Sequence, residues 1–142
     1  MRVLTCVKLS FAAAHSISSR LSDKCAVIHG HNYNVELCFT SENPLPWVCD
    51  FGKLKEIARR VIDRLDHKYL LPEEICREVK IEIPGISPSV MCLPVREVTS
   101  EELAIYIARE ISNELAKELP NVRLVRVKLY ESDTSFVEVE LL

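Results

Sequence analysis

Residues 25–39 read CAVIHGHNYNVELCF, and the alternation in the second half of this stretch decides how the chain is read. Val35, Leu37 and Phe39 share one parity, so residues 31–40 are expected to form a strand with one apolar face. His29 and His31 fall on that parity and therefore point toward the covered side of the sheet. Side chains two apart on a strand project from one face about 6.6 Å apart, and two imidazoles so placed can share a metal ion ~2.0–2.1 Å from each nitrogen. Gly30 between them leaves the opposite face clear.

Upstream, residues 2–15 alternate in the same way: Val3, Thr5, Val7, Leu9 and Phe11 share a parity that His15 continues. Pairing of the two strands across the loop 16–28 brings His15, His29 and His31 together on one face. A lone histidine is ordinarily a partly buried side chain satisfied by hydrogen bonds, and an H-x-H pair alone implies no catalytic class. A third histidine in matching parity shifts the balance to a metal site. Three neutral nitrogen ligands favour Zn²⁺ and leave a fourth position open, as catalytic zinc requires.

Downstream, Leu54, Ile57, Ala58, Val61 and Leu65 form one stripe of a helix over 53–65, with Asp50 placed to cap it. Leu103, Ile107, Ile111 and Leu115 do the same over 100–118. Thr99 or Ser100 is the N-cap there, Glu102 completes a capping-box pattern with Thr99, and Pro120-Asn121 stops the helix. Strands over 122–130 and 135–141 follow, joined by the turn Glu131-Ser132-Asp133-Thr134. The order ββααββ predicts one α+β domain over 1–142, an antiparallel four-stranded sheet with two helices on its apolar face. Within 68–98, the alternation Val79, Ile81, Ile83, then Pro84-Gly85, then Val90 and Cys92 suggests an extra hairpin.

A chain of 142 residues, 48% hydrophobic and 27% charged, has the profile of a soluble globular domain. Its net charge of −3 argues against a basic nucleic-acid surface. No apolar run approaches the ~20 residues needed to span a bilayer. The N-terminus alternates like a strand instead of resembling a signal peptide, so the expected compartment is the cytoplasm. The six cysteines include no C-x-x-C pair, which excludes zinc-ribbon and thioredoxin signatures. In a reducing cytosol most are expected to be buried small hydrophobes. The absence of Gln beside plentiful Lys, Arg and Glu resembles the proteins of hyperthermophiles, in which intracellular disulfides do occur.

Two features supply acid–base groups beyond the ligands. Asp66-His67 follows the first helix directly, where a carboxylate can orient an imidazole and stabilise its charge, or simply cap the helix. Cys25 lies in the loop that delivers the histidines; a thiol near a metal or an imidazolium has a lowered pKa and can shuttle protons, although a single Cys is usually packing.

Phe11-Ala12-Ala13-Ala14-His15, Cys25-x-x-x-His29-Gly30-His31-Asn32-Tyr33, Asp50-Phe51-Gly52, Leu65-Asp66-His67, Thr99-Ser100-Glu101 and Glu131 occur in an order that resembles the 6-pyruvoyl-tetrahydropterin synthase/6-carboxy-tetrahydropterin synthase family. The resemblance covers most of the chain and weakens in 71–97. It implies the tunnelling fold, in which sheets of several subunits join into a barrel, and hence a homo-oligomer, a hexamer by that likeness. It implies zinc on His15, His29 and His31, Cys25 as general acid/base with Asp66 and His67 as relay partners, and Glu131 as anchor of the pterin's pyrimidine edge. A carboxylate suits that role because it accepts two parallel hydrogen bonds from a guanidine-like N–H pair. Thr99, Ser100 and Glu101 match the segment lining the pterin pocket, and Asp50 stays structural.

The implied substrate is 7,8-dihydroneopterin triphosphate, with zinc acting as Lewis acid and template. The three-residue spacer between Cys25 and His29 resembles the 6-carboxy-tetrahydropterin branch, which releases acetaldehyde and triphosphate and feeds 7-deazaguanine synthesis; no RNA contact is expected. The alternatives are the pyruvoyl enzyme, with triphosphate elimination but no carbon–carbon cleavage, and a non-catalytic zinc-binding assembly module. Cys25 stands open as a fourth zinc ligand at rest, and Arg20 and Lys24 stand as guesses for triphosphate.

Overall fold

The computed structural model describes residues 1–142. Thr5–His15 (β1) and His29–Ser41 (β2) form the central antiparallel pair, with Thr5 opposite Phe39 at one end and His15 opposite His29 at the other. Phe51–Leu65 (α1), Lys68–Pro72 (β3), the short Glu73–Cys76 (α2), Val90–Leu93 (β4), Ser100–Glu118 (α3), Val122–Ser132 (β5) and Ser135–Glu140 (β6) complete the chain. The strands lie in the order β4-β3-β1-β2-β5-β6. The four long ones, β1, β2, β5 and β6, are antiparallel neighbours, and α1 and α3 cover one face of them.

Parity determines which face is covered. Val7, Leu9, Phe11, Val35, Leu37, Phe39, Val127 and Leu129 are buried against Leu54, Ile57, Val61, Leu103, Ile107 and Ile111 in one continuous core. A fully buried Leu or Ile contributes about 1.5–3 kcal/mol, so the helices are held by this packing more than by their own propensity. Each helix start is also fastened. The Asp50 carboxylate accepts from the Lys53 N–H at 3.0 Å, and the Thr99 hydroxyl accepts from the Glu102 N–H at 3.2 Å. The capping box is only half formed: the Glu102 carboxylate turns back to the N–H groups of Arg96 and Glu97 at 3.0 Å each.

Two expectations need correction. The extra hairpin in 68–98 does not exist. Pro84-Gly85 does make a turn, with Gly85 at φ 76 and the Ile86 N–H bonded to the Ile83 carbonyl at 3.0 Å, but Val79, Ile81 and Ile83 belong to no strand. Instead β3 and β4 add to the β1 edge as parallel strands, with Leu70 opposite Met91. Parallel neighbours need a long crossover, and 73–89, with α2 at its start, is that crossover. The cysteines are mostly not free hydrophobes either. Cys6 and Cys38, directly opposite in the β1–β2 register, form a disulfide, as do Cys76 and Cys92, while Cys25 and Cys49 are free.

Candidate active site

The β1–β2 register assembles the histidines. His15 faces His29, His31 faces Ala13, and all three side chains take the helix-covered parity. Their ring centroids lie 4.6, 5.0 and 4.9 Å apart, a nearly equilateral triangle. One ligating nitrogen of each lies within 4.8 Å of the others. His15 is fully buried and the other two are partly exposed, so the cluster opens on one side only.

Second contacts set the tautomers. His15 Nδ1 lies 2.7 Å from the Val98 carbonyl oxygen and His29 Nδ1 lies 2.6 Å from that of Val27. A carbonyl only accepts, so each Nδ1 donates and each neutral ring carries its lone pair on Nε2. Burial pushes the His15 pKa down; the Val98 bond opposes this, and His29 and His31 reinforce it. These lone pairs converge with His31 Nε2, which lies 3.1 Å from His15 Nε2. Neutral imidazoles oriented through backbone carbonyls are the donor set a Zn²⁺-like cation takes, so the residues present fit the implied metal.

Glu131 closes the opening. It sits on the Leu129 parity of β5, where the pairing with β6 shifts register between Tyr130 and Ser132. Its Oε1 lies 3.1 Å from His31 Nε2 and 3.4 Å from His15 Nε2. Beside it, Tyr33 is fully buried with its ring 5.5 Å from that of His31, and its hydroxyl has no hydrogen-bond partner. Burial first, and the Glu131 charge second, raise the pKa of this phenol. Of the segment 99–101, Thr99 spends its hydroxyl on the cap, Glu101 is exposed, and Ser100 keeps a buried hydroxyl without a partner. The Val98 carbonyl ties this segment to His15.

Cys25 is a free, partly buried thiol held in the loop by two backbone bonds, its N–H to Ser22 Oγ at 3.3 Å and its carbonyl to the Ile17 N–H at 2.8 Å. It lies outside the ligand cluster. Asp66 accepts the Ala12 N–H on Oδ1 at 2.8 Å, and its Oδ2 lies 2.9 Å from His67 Nδ1. The Ala12 bond is the main cause that holds the Asp66 carboxyl below the ordinary range, and His67 adds to it. His67 sits at φ 60, in the left-handed region, and its N–H bonds the Ala12 carbonyl at 2.6 Å. A non-glycine residue held there is strained, and such residues cluster at functional sites. Its ring is 82% exposed, so one imidazole nitrogen is presented to solvent. A groove of about 490 Å³ brings His67 and His31 to one surface, with Lys68, Ile86 and Ser87 on its wall.

No hydrogen bond within the chain links Cys25 to the Asp66–His67 pair. Arg20 and Lys24 are exposed, and Arg20 Nε donates only to Ser18 Oγ at 3.4 Å. Sequence reasoning missed the Val27 and Val98 carbonyls, the Tyr33 hydroxyl and Lys68, whose ammonium donates to Ser89 Oγ at 2.8 Å. Tyr33 could have been found, because it continues the parity of His29 and His31. The carbonyls carry no sequence signal, since any residue type supplies one.

Comparison with known proteins agrees with this geometry. The family model described as 6-pyruvoyl tetrahydropterin synthase matches residues 5–141. A Methanocaldococcus jannaschii protein provisionally named 6-carboxy-5,6,7,8-tetrahydropterin synthase is 34% identical over 139 residues, covering 87% of this chain and 84% of its own. The Rickettsia typhi 6-carboxy-5,6,7,8-tetrahydropterin synthase is 30% identical over 135 residues, covering 93% and 96%. Among solved structures, a catalytic-residue mutant of Plasmodium vivax 6-pyruvoyltetrahydropterin synthase superposes with a TM-score of 0.76 at 26% identity, covering 99% of this chain and 98% of that one. The match runs through both histidine-bearing strands and both long helices, and the tunnelling fold is common to the solved relatives. On fold, length and sequence alike, the chain belongs to the 6-pyruvoyl tetrahydropterin synthase family.

Proposed function

We propose that this chain converts 7,8-dihydroneopterin triphosphate to 6-carboxy-5,6,7,8-tetrahydropterin, releasing acetaldehyde and triphosphate, as a zinc-dependent lyase. The observation that carries the reading is the convergence of three imidazoles, two with their tautomers fixed by backbone carbonyls. His15, His29 and His31 would hold Zn²⁺, which supplies Lewis acidity and a template for the substrate's side-chain hydroxyls. Cys25 moves the proton between side chain and ring. Asp66 orients His67, whose solvent-facing nitrogen exchanges the proton with the medium. Glu131 accepts the paired N–H groups of the pyrimidine edge, and Thr99, Ser100 and Glu101 line the pterin pocket, Ser100 with a buried hydroxyl that has no partner within the chain.

The enzyme works as a cytoplasmic homo-oligomer on a small molecule, with no nucleic acid and no membrane involved. No helix is long and apolar enough to cross a membrane. The three residues between Cys25 and His29 and the names of the curated relatives favour the carboxy product. The names of the family model and of the solved neighbours favour the pyruvoyl product instead. Chromatography with mass detection after incubation with dihydroneopterin triphosphate separates them. Acetaldehyde and a carboxylated pterin are expected. A 6-pyruvoyl product without acetaldehyde moves the chain to the second reading, and a folded, zinc-loaded protein that consumes nothing is a binding module.

A further inference from the structure

We propose, resting on the assignment of His31 and His67 to the pterin reaction, that the Cys76–Cys92 disulfide positions one wall of the groove those two imidazoles share, and that its reduction weakens substrate binding. The groove, about 490 Å³, takes His31 and Lys68 from the sheet, His67 from the turn before β3, and Ile81, Ile86 and Ser87 from the crossover. The crossover wall is therefore part of whatever the groove binds.

Little besides the disulfide holds that wall. After α2, no residue of 77–89 is buried and none joins the core. The Glu78 N–H bonds the Ile75 carbonyl and the Ile86 N–H that of Ile83, both at 3.0 Å, and Lys80 pairs with Glu82 at 3.1 Å, all local contacts. Hydrogen bonds tie 77–89 to the sheet only at its exit: the Ser89 carbonyl accepts the Tyr69 N–H at 2.8 Å, and the Ser89 hydroxyl accepts from the Lys68 ammonium at 2.8 Å. At its entry stands α2, four residues that bury nothing and carry no side-chain cap. A single helical turn is unstable alone. The disulfide fixes this foot by tying Cys76 to Cys92 of β4, which sits opposite Leu71 of β3. With the bridge open, the wall is pinned at one end.

Of the two bridges, this is the reducible one. Cys92 is exposed, whereas Cys38 of the Cys6–Cys38 bridge is fully buried. Exposed disulfides are the labile ones, because an external thiolate can reach a sulfur. A dithiol reductant attacks Cys92 Sγ; the S–S bond breaks, and Cys76 leaves as a thiolate that takes up a proton. The reductant's second thiolate then displaces Cys92. The protein gains two thiols, and the dithiol is oxidised to its own disulfide.

The test is steady-state kinetics on dihydroneopterin triphosphate with the bridge closed and open. In Cys76→Ser/Cys92→Ser, KM should rise about 10-fold, the factor expected when the wall stands in place about a tenth of the time. Changes in kcat should be small, since the groups assigned to proton transfer are untouched. The unsubstituted protein, treated with a phosphine until alkylation reports Cys76 and Cys92 as its only new thiols, should show the same rise, and reoxidation should reverse it. Tryptic cleavage after Arg77 and Lys80, read by mass spectrometry, should quicken in both open forms. An unchanged KM would overturn the proposal even if cleavage quickened, because the crossover would then loosen without serving the site. An oxidised protein that consumes no dihydroneopterin triphosphate would overturn the functional reading itself, and this proposal with it.

Discussion

At the scale of single residues, the proposed roles divide between groups that hold and groups that move a proton. Cys25 lies outside the three-histidine cluster proposed to hold the metal, so Cys25→Ala should keep its zinc and its pterin while turnover falls ~10²–10⁴-fold, the usual contribution of a general acid or base. Metal analysis beside steady-state rates reads both halves, and unchanged turnover would remove Cys25 from the mechanism. Glu131→Ala should lose pterin binding, because the ring's N–H pair is then buried without an acceptor. Tyr33 predicts something less expected. Its hydroxyl is buried without a partner, at a cost of roughly 1–3 kcal/mol for such a group, whereas the ring stacks on Phe11 at 4.9 Å. Tyr33→Phe keeps the ring and removes the orphan, so denaturant unfolding of the metal-free protein should show it about 1 kcal/mol more stable. A clear loss of stability would mean that the hydroxyl has a partner in solution.

At the scale of elements, α1 and α3 fasten the site by their ends. Thr99 caps α3 one residue after the carbonyl that orients His15, and Thr99→Ala should cost about 1 kcal/mol of stability, with the metal site loosened as well. Asp66 ties the end of α1 to the Ala12 N–H of β1, and its folded pKa lies below the ordinary carboxylate value. A depressed folded pKa stabilises the native state above the unfolded pKa, near 4, and that contribution is lost as pH falls through the lower folded value. Asp66→Asn should therefore flatten the loss of stability below about pH 4, measured by urea titration across that range. The elements legible in the sequence were those whose period is set by burial on one face. Leu103, Ile107, Ile111 and Leu115 mark α3 because only one stripe of it meets the sheet, and the shared parity of His15, His29 and His31 marks the face on which they cluster for the same reason. β3 and β4 were not legible. They are five and four residues long, their pairing is parallel and depends on a distant crossover, and the Pro84-Gly85 turn between them looks like the turn of a hairpin.

At the scale of the whole molecule, the two disulfides clamp the sheet at different places. Cys6–Cys38 crosses the central strand pair, and Cys76–Cys92 closes the crossover beside the His67 groove. Pairing of these cysteines depends on which strands become neighbours, so their spacing in the sequence could not announce it. Reduction should lower the unfolding free energy by about 2–4 kcal/mol per bridge, read as a shift of the urea midpoint with and without reductant. An unchanged midpoint, with four additional thiols titrating, would mean that the bridges add nothing. Everything proposed for the chemistry, however, depends on one centre. Elemental analysis of the purified protein and of the His15→Ala/His29→Ala/His31→Ala triple variant tests that centre most directly. The account predicts about one zinc per chain in the native protein, as a single three-histidine site requires, and none in a triple variant whose circular dichroism remains native. A folded triple variant that retains its full zinc would contradict it.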